Sequence, residues 1–266
     1  MSKFISSKET YLKYILYFFP LLVILGNAYI NFALISVFSL YIISCLIEKT
    51  LIYSGSDEFK YFLFFYIYLI FNSLLADDFI TSILRTLPYV KFFIFILIFK
   101  DLIEKGKIDF KKLIFVWFSI IFILSLDIIY QSIKGHDIFN YVSEYKTRNS
   151  GFFFDELVAG GFLVSFVPIC IFLLFKKNEN SFIFVFFTFF LVVIFLTGER
   201  ANLIDFIIIS ICTYFFCIKS NLFLKFFSII SISLILVSLI LSLDNFKQRY
   251  LTTISFSDDK NLNLIE

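Results

Sequence analysis

Long apolar runs separated by short polar connectors dominate the chain. Nine such runs stand out, at roughly 11–27, 29–47, 59–76, 79–99, 113–132, 156–175, 181–197, 200–218 and 222–242. They are apolar at nearly every position, whereas the strands of a membrane barrel alternate apolar with polar residues. A bilayer core of about 30 Å takes about 20 apolar residues in a helix, and a helix satisfies its backbone hydrogen bonds within one segment. The pattern predicts an all-α, polytopic transmembrane helical bundle of about nine spans. Residues 1–242 form a single helical domain, and 243–266 form a polar segment after the last run.

Composition excludes a water-soluble domain. Hydrophobic residues make up 60% of 266 positions and charged residues 17%, with 42 phenylalanines against 3 prolines. Mean hydropathy is +0.94. A net charge of +2 gives no case for nucleic acid. Cys45, Cys170, Cys212 and Cys217 all fall in apolar runs with no C-x-x-C pair, so neither a disulfide nor a metal site is expected. Nothing in the pattern calls for a cofactor. Lys3, Lys8 and Lys13 precede or enter the first run as in a signal peptide, but no small-x-small cleavage site follows. The run is expected to remain as a first span.

Lysine sets the orientation. With the N-terminus inside, fourteen of the nineteen lysines fall in inner connectors, including the cluster Lys105, Lys107, Lys111 and Lys112. The positive-inside rule then predicts N-in and C-out, in keeping with an odd number of spans. One internal outer loop has real length, at about 133–155.

The four arginines run against this trend. Arg85 lies about 9 Å inside the fourth span, and Arg148, Arg200 and Arg249 all fall on the outer side. Guanidinium is planar, permanently charged and able to grip phosphate through paired hydrogen bonds. Several on one face would suit a diphosphate, although each could equally snorkel to headgroups or pair with an acid. Pro88 should kink the fourth span and swing Arg85 and Lys91 toward one cavity, with Asp127 as a partner for these cations.

Asp155 and Glu156 fall where the sixth span is expected to begin. Complementing the helix N-terminus and lining a cavity are both open to them, and Glu156 is a candidate general base. Ala159, Gly160 and Gly161 allow a neighbour close approach. Gly198 permits a tight turn into Glu199 and Arg200. Asp205, two turns further, needs a partner from another helix. His136, in the long loop, is the only histidine, and a solvated role suits it.

The stretches Arg148-Asn149-Ser150-Gly151-Phe152-Phe153-Phe154-Asp155-Glu156-Leu157-Val158-Ala159-Gly160 and Leu196-Thr197-Gly198-Glu199-Arg200-Ala201 resemble the O-antigen ligase and polymerase family. Leu84-Arg85-Thr86-Leu87-Pro88-Tyr89-Val90-Lys91-Phe92-Phe93 is similar to that family's early basic helix. The resemblance implies a bacterial inner-membrane enzyme that transfers glycan from an undecaprenyl diphosphate carrier, at the periplasmic face, to a glycan or lipid acceptor. Arg148 and Arg200 would hold the diphosphate as leaving group, and no metal is then required. Arg85, Lys91, Glu156, Glu199 and Asp205 complete the expected substrate-binding set. The family continues through a large periplasmic loop that bears a histidine, and then further spans. This chain stops at Glu266, where that loop would start, so the resemblance leads to the expectation of a C-terminally truncated polypeptide. His136 lies in a different loop and does not inherit the role.

Two other classes compete. In a flippase for lipid-linked glycan, Arg85, Lys91, Asp127 and Asp205 would line a pathway, but such a pathway needs polar groups at every depth. The third class is a non-catalytic membrane fragment.

Overall fold

The computed structural model describes residues 2–48, 56–143, 148–175 and 180–217. The ninth apolar run, the segment 243–266 and Arg249 lie outside these residues. Every regular element among the described residues is helical. The chain divides into two units, Met1–Trp117 and Phe118–Glu266.

The first unit holds α1 (Ser2–Tyr17), α2 (Phe19–Ile24), α3 (Asn27–Glu48), α4 (Asp57–Leu74), α5 (Phe79–Thr86), α6 (Val90–Glu104) and the first turns of α7 (Phe110–Lys134). The first expected span is thus two helices, with Pro20 in the opening turn of α2 where its missing N–H costs nothing. Gly26, at φ +105°, supplies the reversal before α3. The Ser56 hydroxyl caps α4 by accepting from the Phe59 N–H at 3.2 Å, and Asp57 and Glu58 complement its first turn.

The fourth expected span is broken, as Pro88 requires. A three-residue 3-10 turn, Leu87–Tyr89, separates α5 from α6. Polar side chains from α4 service the break. The Tyr66 hydroxyl donates to the Leu87 carbonyl at 3.0 Å, and Ser73 and Thr86 hydroxyls meet at 2.6 Å. Trp117 donates its indole N–H to the Leu16 carbonyl at 2.9 Å, which ties the start of α7 to the end of α1.

The second unit holds the rest of α7, a 3-10 turn at Gly151–Phe153, α8 (Ala159–Phe175), α9 (Asn180–Thr197) and α10 (Arg200–Cys217). Helices α8, α9 and α10 pack mutually around buried Leu163, Val167, Phe190, Ile194 and Phe206. Phe190 lies edge-on to Phe118 of α7, with ring centroids 6.1 Å apart. Aromatic edge-to-face pairs of this kind add to the packing beyond their buried area.

Among the described residues three segments are long and apolar enough to cross a membrane: Asn27–Ile47, Phe79–Glu104 and Phe110–Lys134. Ala159–Ile171 and Val185–Thr197 are shorter apolar helices. Many large apolar side chains face outward, among them Phe32, Leu46, Tyr61, Phe64, Ile80 and Phe115. Water penalises a surface of that kind, and hydrocarbon does not. Phe190→Ala should therefore lower stability by about 3 kcal/mol, the usual cost of emptying a packed aromatic site. Phe64→Ala, at a side chain 76% exposed, should leave it nearly unchanged; thermal unfolding in detergent micelles separates the two.

Candidate functional site

The polar residues of the second unit gather where α7 ends and where α9 turns into α10. Helix α7 closes with Gly135 at φ +80°, and a tight turn follows, in which the Asp137 carboxylate accepts from the Tyr141 N–H at 2.7 Å. Two buried side chains one turn apart on α7 fix the loop beyond. Asp127 accepts from the Ile138 N–H at 2.9 Å, and the Gln131 carbonyl oxygen accepts from the Gly151 N–H at 2.8 Å. Gly151 has φ +55°, and a β-carbon there would meet side-chain atoms of Ile128, Leu124 and Asp127 at 3.0 to 3.2 Å. A glycine is needed on both counts. Asp127 therefore anchors the loop through the Ile138 N–H.

The next anchor carries Arg148. Its neighbour Asn149 donates its backbone N–H to the Thr197 carbonyl at 3.3 Å and its side-chain amide to the Leu196 carbonyl at 2.6 Å. Both acceptors belong to the last turn of α9, where helix carbonyls have no intrahelical donor. Arg200 opens α10 three residues beyond Thr197. Arg148 and Arg200 are consequently brought to the same hairpin, both half-buried. Gly198 makes the turn at φ +73°, as its position implied.

Glu199 directly precedes Arg200 in the chain and feels the charge of Arg148. One of its carboxylate oxygens accepts from the Gly160 N–H at 2.9 Å, and the other takes the Asn202 side-chain amide. Gly160 is in the first turn of α8, so this carboxylate occupies the positive end of that helix. The expected occupants were Asp155 and Glu156. Helix α8 starts only at Ala159, and both acids precede it, exposed. The acid on the helix comes instead from the distant hairpin. Burial pushes the Glu199 carboxyl above the usual glutamate range, while the Gly160 and Asn202 hydrogen bonds and the charge of Arg148 pull it back.

The remaining candidates are spread over both units. In the first unit Arg85 is exposed on α5, where its charge acts on Asp78, the residue that caps this helix. Lys91 is half-buried and donates to the Asn31 side-chain oxygen on α3 at 2.5 Å. Asp205 is exposed on α10, and no ion pair involving it occurs among the described residues. His136 packs edge-on to Tyr130, with its Nδ1 2.9 Å from the Asp137 carbonyl. Asn31, Gln131, Asn149 and Asn202 also hold these contacts, and as uncharged amides they leave no trace in a charge or hydropathy pattern. The three-residue interval from Glu199 to Asn202, one helical turn, was the available signal.

Two outcomes follow from the seat of Glu199. A β-carbon on Gly160 would lie 3.0 Å from Glu199 Cδ and from Thr197 Oγ1, whereas one on Gly161 would meet nothing nearer than 3.6 Å. Gly160→Ala should destabilise the protein by about 1–3 kcal/mol and Gly161→Ala far less, as read by thermal unfolding. A carboxyl whose pKa rises on folding stabilises the fold while protonated, and that contribution is lost as pH climbs through the raised value. Wild-type stability should hence fall with pH from the ordinary glutamate range upward, and Glu199→Gln should flatten that slope in melts recorded across pH. Comparison with protein-family models, with curated proteins and with solved structures gives no match.

Proposed function

We propose that this protein is a membrane enzyme that transfers or polymerises glycan from an undecaprenyl diphosphate carrier, of the O-antigen ligase and polymerase type. The observation that carries the proposal is the clamp of Asn149 on the last carbonyls of α9, which delivers Arg148 to the hairpin that bears Arg200. Arg200 stands at the N-terminal end of α10, where the helix dipole favours an anion. Arg200 is well placed there to join the amides of a helix start around a phosphorylated ligand.

In the proposed reaction an acceptor hydroxyl oxygen bonds to the anomeric carbon of the carrier-linked sugar. The bond from that carbon to the diphosphate oxygen breaks, and the electron pair leaves with the diphosphate. The hydroxyl proton passes to a base in the acceptor site. Arg148 and Arg200 offset the charge that grows on the departing diphosphate, a stabilisation worth several kcal/mol in a low-dielectric site. The nine-span order and the bacterial inner membrane belong to the same proposal, as does the N-in orientation, which the distribution of lysine along the chain supports. The flippase alternative draws less support, since Lys91 and Asp127 each have a neutral partner in their own unit.

In cells that depend on this gene for surface glycan, Arg148→Ala and Arg200→Ala should each abolish polymer or ligated product at unchanged protein level. Lysine at either position should also cost most of the activity, because a point charge lacks the paired grip. Glycan ladders of normal length and intensity from both alanine variants would end the proposal.

A further inference from the structure

We propose that Glu199 is a positioning residue, which holds Arg148 in register with Arg200 through a seat on the first turn of α8 and the side chain of Asn202. The inference rests on the glycan-transfer reading above and assigns within it a role to an acid that touches no substrate.

Three observations define that seat. The Glu199 carboxylate is engaged at both oxygens by N–H donors, from Gly160 at 2.9 Å and from Asn202. Gly160 has no side chain because Glu199 and Thr197 occupy the space: a β-carbon would come within 3.0 Å of each. Thr197 is also the residue whose carbonyl accepts from Asn149, next to Arg148. A single point of close packing thus joins α8, the α9–α10 hairpin and the Arg148 strand of the loop. Arg148 acts electrostatically on the same carboxylate.

A carboxylate held in this way has little freedom to move, because both of its oxygens are committed to N–H donors. What it does supply is a fixed negative charge beside Arg148 at the positive end of α8. That charge favours an Arg148 held near the hairpin before any anionic ligand arrives. Asp155 and Glu156 cannot replace it, being exposed upstream of the helix.

The test uses the full chain in lipid nanodiscs, with undecaprenyl diphosphate as probe and thermal unfolding measured alongside. Glu199→Gln keeps an acceptor for Gly160 but loses the charge and sets an amide donor against the Asn202 amide. Its affinity should drop about tenfold or more. The swap Glu199→Gln with Asn202→Asp restores a donor facing an acceptor and returns a carboxylate to the hairpin, so it should recover most of that loss. Unchanged affinity in Glu199→Gln overturns the proposal. So does a swap that folds as wild type without regaining affinity, or one that fails to fold, since the restored pairing would then not be what holds the hairpin. Arg148→Ala separates the levels. If it binds the probe as wild type does, the glycan-transfer reading falls; if it loses the probe while Glu199→Gln keeps it, only the positioning role falls.

Discussion

Helix ends leave backbone groups without intrahelical partners, and in an apolar surrounding those groups must be satisfied by something nearby. In the second unit they are satisfied by side chains from elsewhere in the chain. Asn149 serves the final carbonyls of α9, and Glu199 serves the first amides of α8. Gln131 and Asp127 do the same for the loop that follows α7. Each of these contacts answers a local polar demand, and together they determine where the loop lies. Arg148 is carried to its place by a neighbour whose amide is needed by the α9 terminus.

This arrangement links stability to the proposed chemistry. A diphosphate leaving group is best stabilised by donors fixed before charge develops, since donors that must reorganise lose much of their benefit. Arg200 is fixed by its position in the first turn of α10, and Arg148 by the adjoining clamp. Glu199 feels the charge of Arg148 and sits against a glycine that leaves it room. The site therefore has little freedom to tolerate small changes: one methyl group at Gly160 reaches both Glu199 and Thr197.

Features governed by local chemistry were legible in the sequence. The Gly198 turn and the break at Pro88 both follow from backbone preferences of single residues, and helical character follows from long apolar runs. The small residues Ala159-Gly160-Gly161 marked a close approach, and Gly160 provides one. Partnerships were not legible. Asp155 and Glu156 looked like the acids of the α8 start because they were adjacent in sequence, yet the acid used lies some forty positions on. Asp127 takes the Ile138 N–H on one carboxylate oxygen, a bond that its charge alone did not announce. Neutral amides leave little mark in a charge pattern, although Asn149, Gln131 and Asn202 carry much of the construction. Pairing of this kind is set by three-dimensional packing, to which hydropathy and spacing are blind.

The clamp of the loop on α9 is the point on which the account stands, and cross-linking reads it directly. Asn149→Cys with Thr197→Cys, in a chain freed of its four native cysteines, places two thiols on residues joined by a backbone hydrogen bond. A short bifunctional thiol reagent applied to native membranes should join them rapidly and in high yield, whereas Lys134→Cys paired with Thr197→Cys should react slowly. Equal, slow reaction of both pairs would mean that the loop does not rest on the hairpin, and the two arginines would then have no common seat.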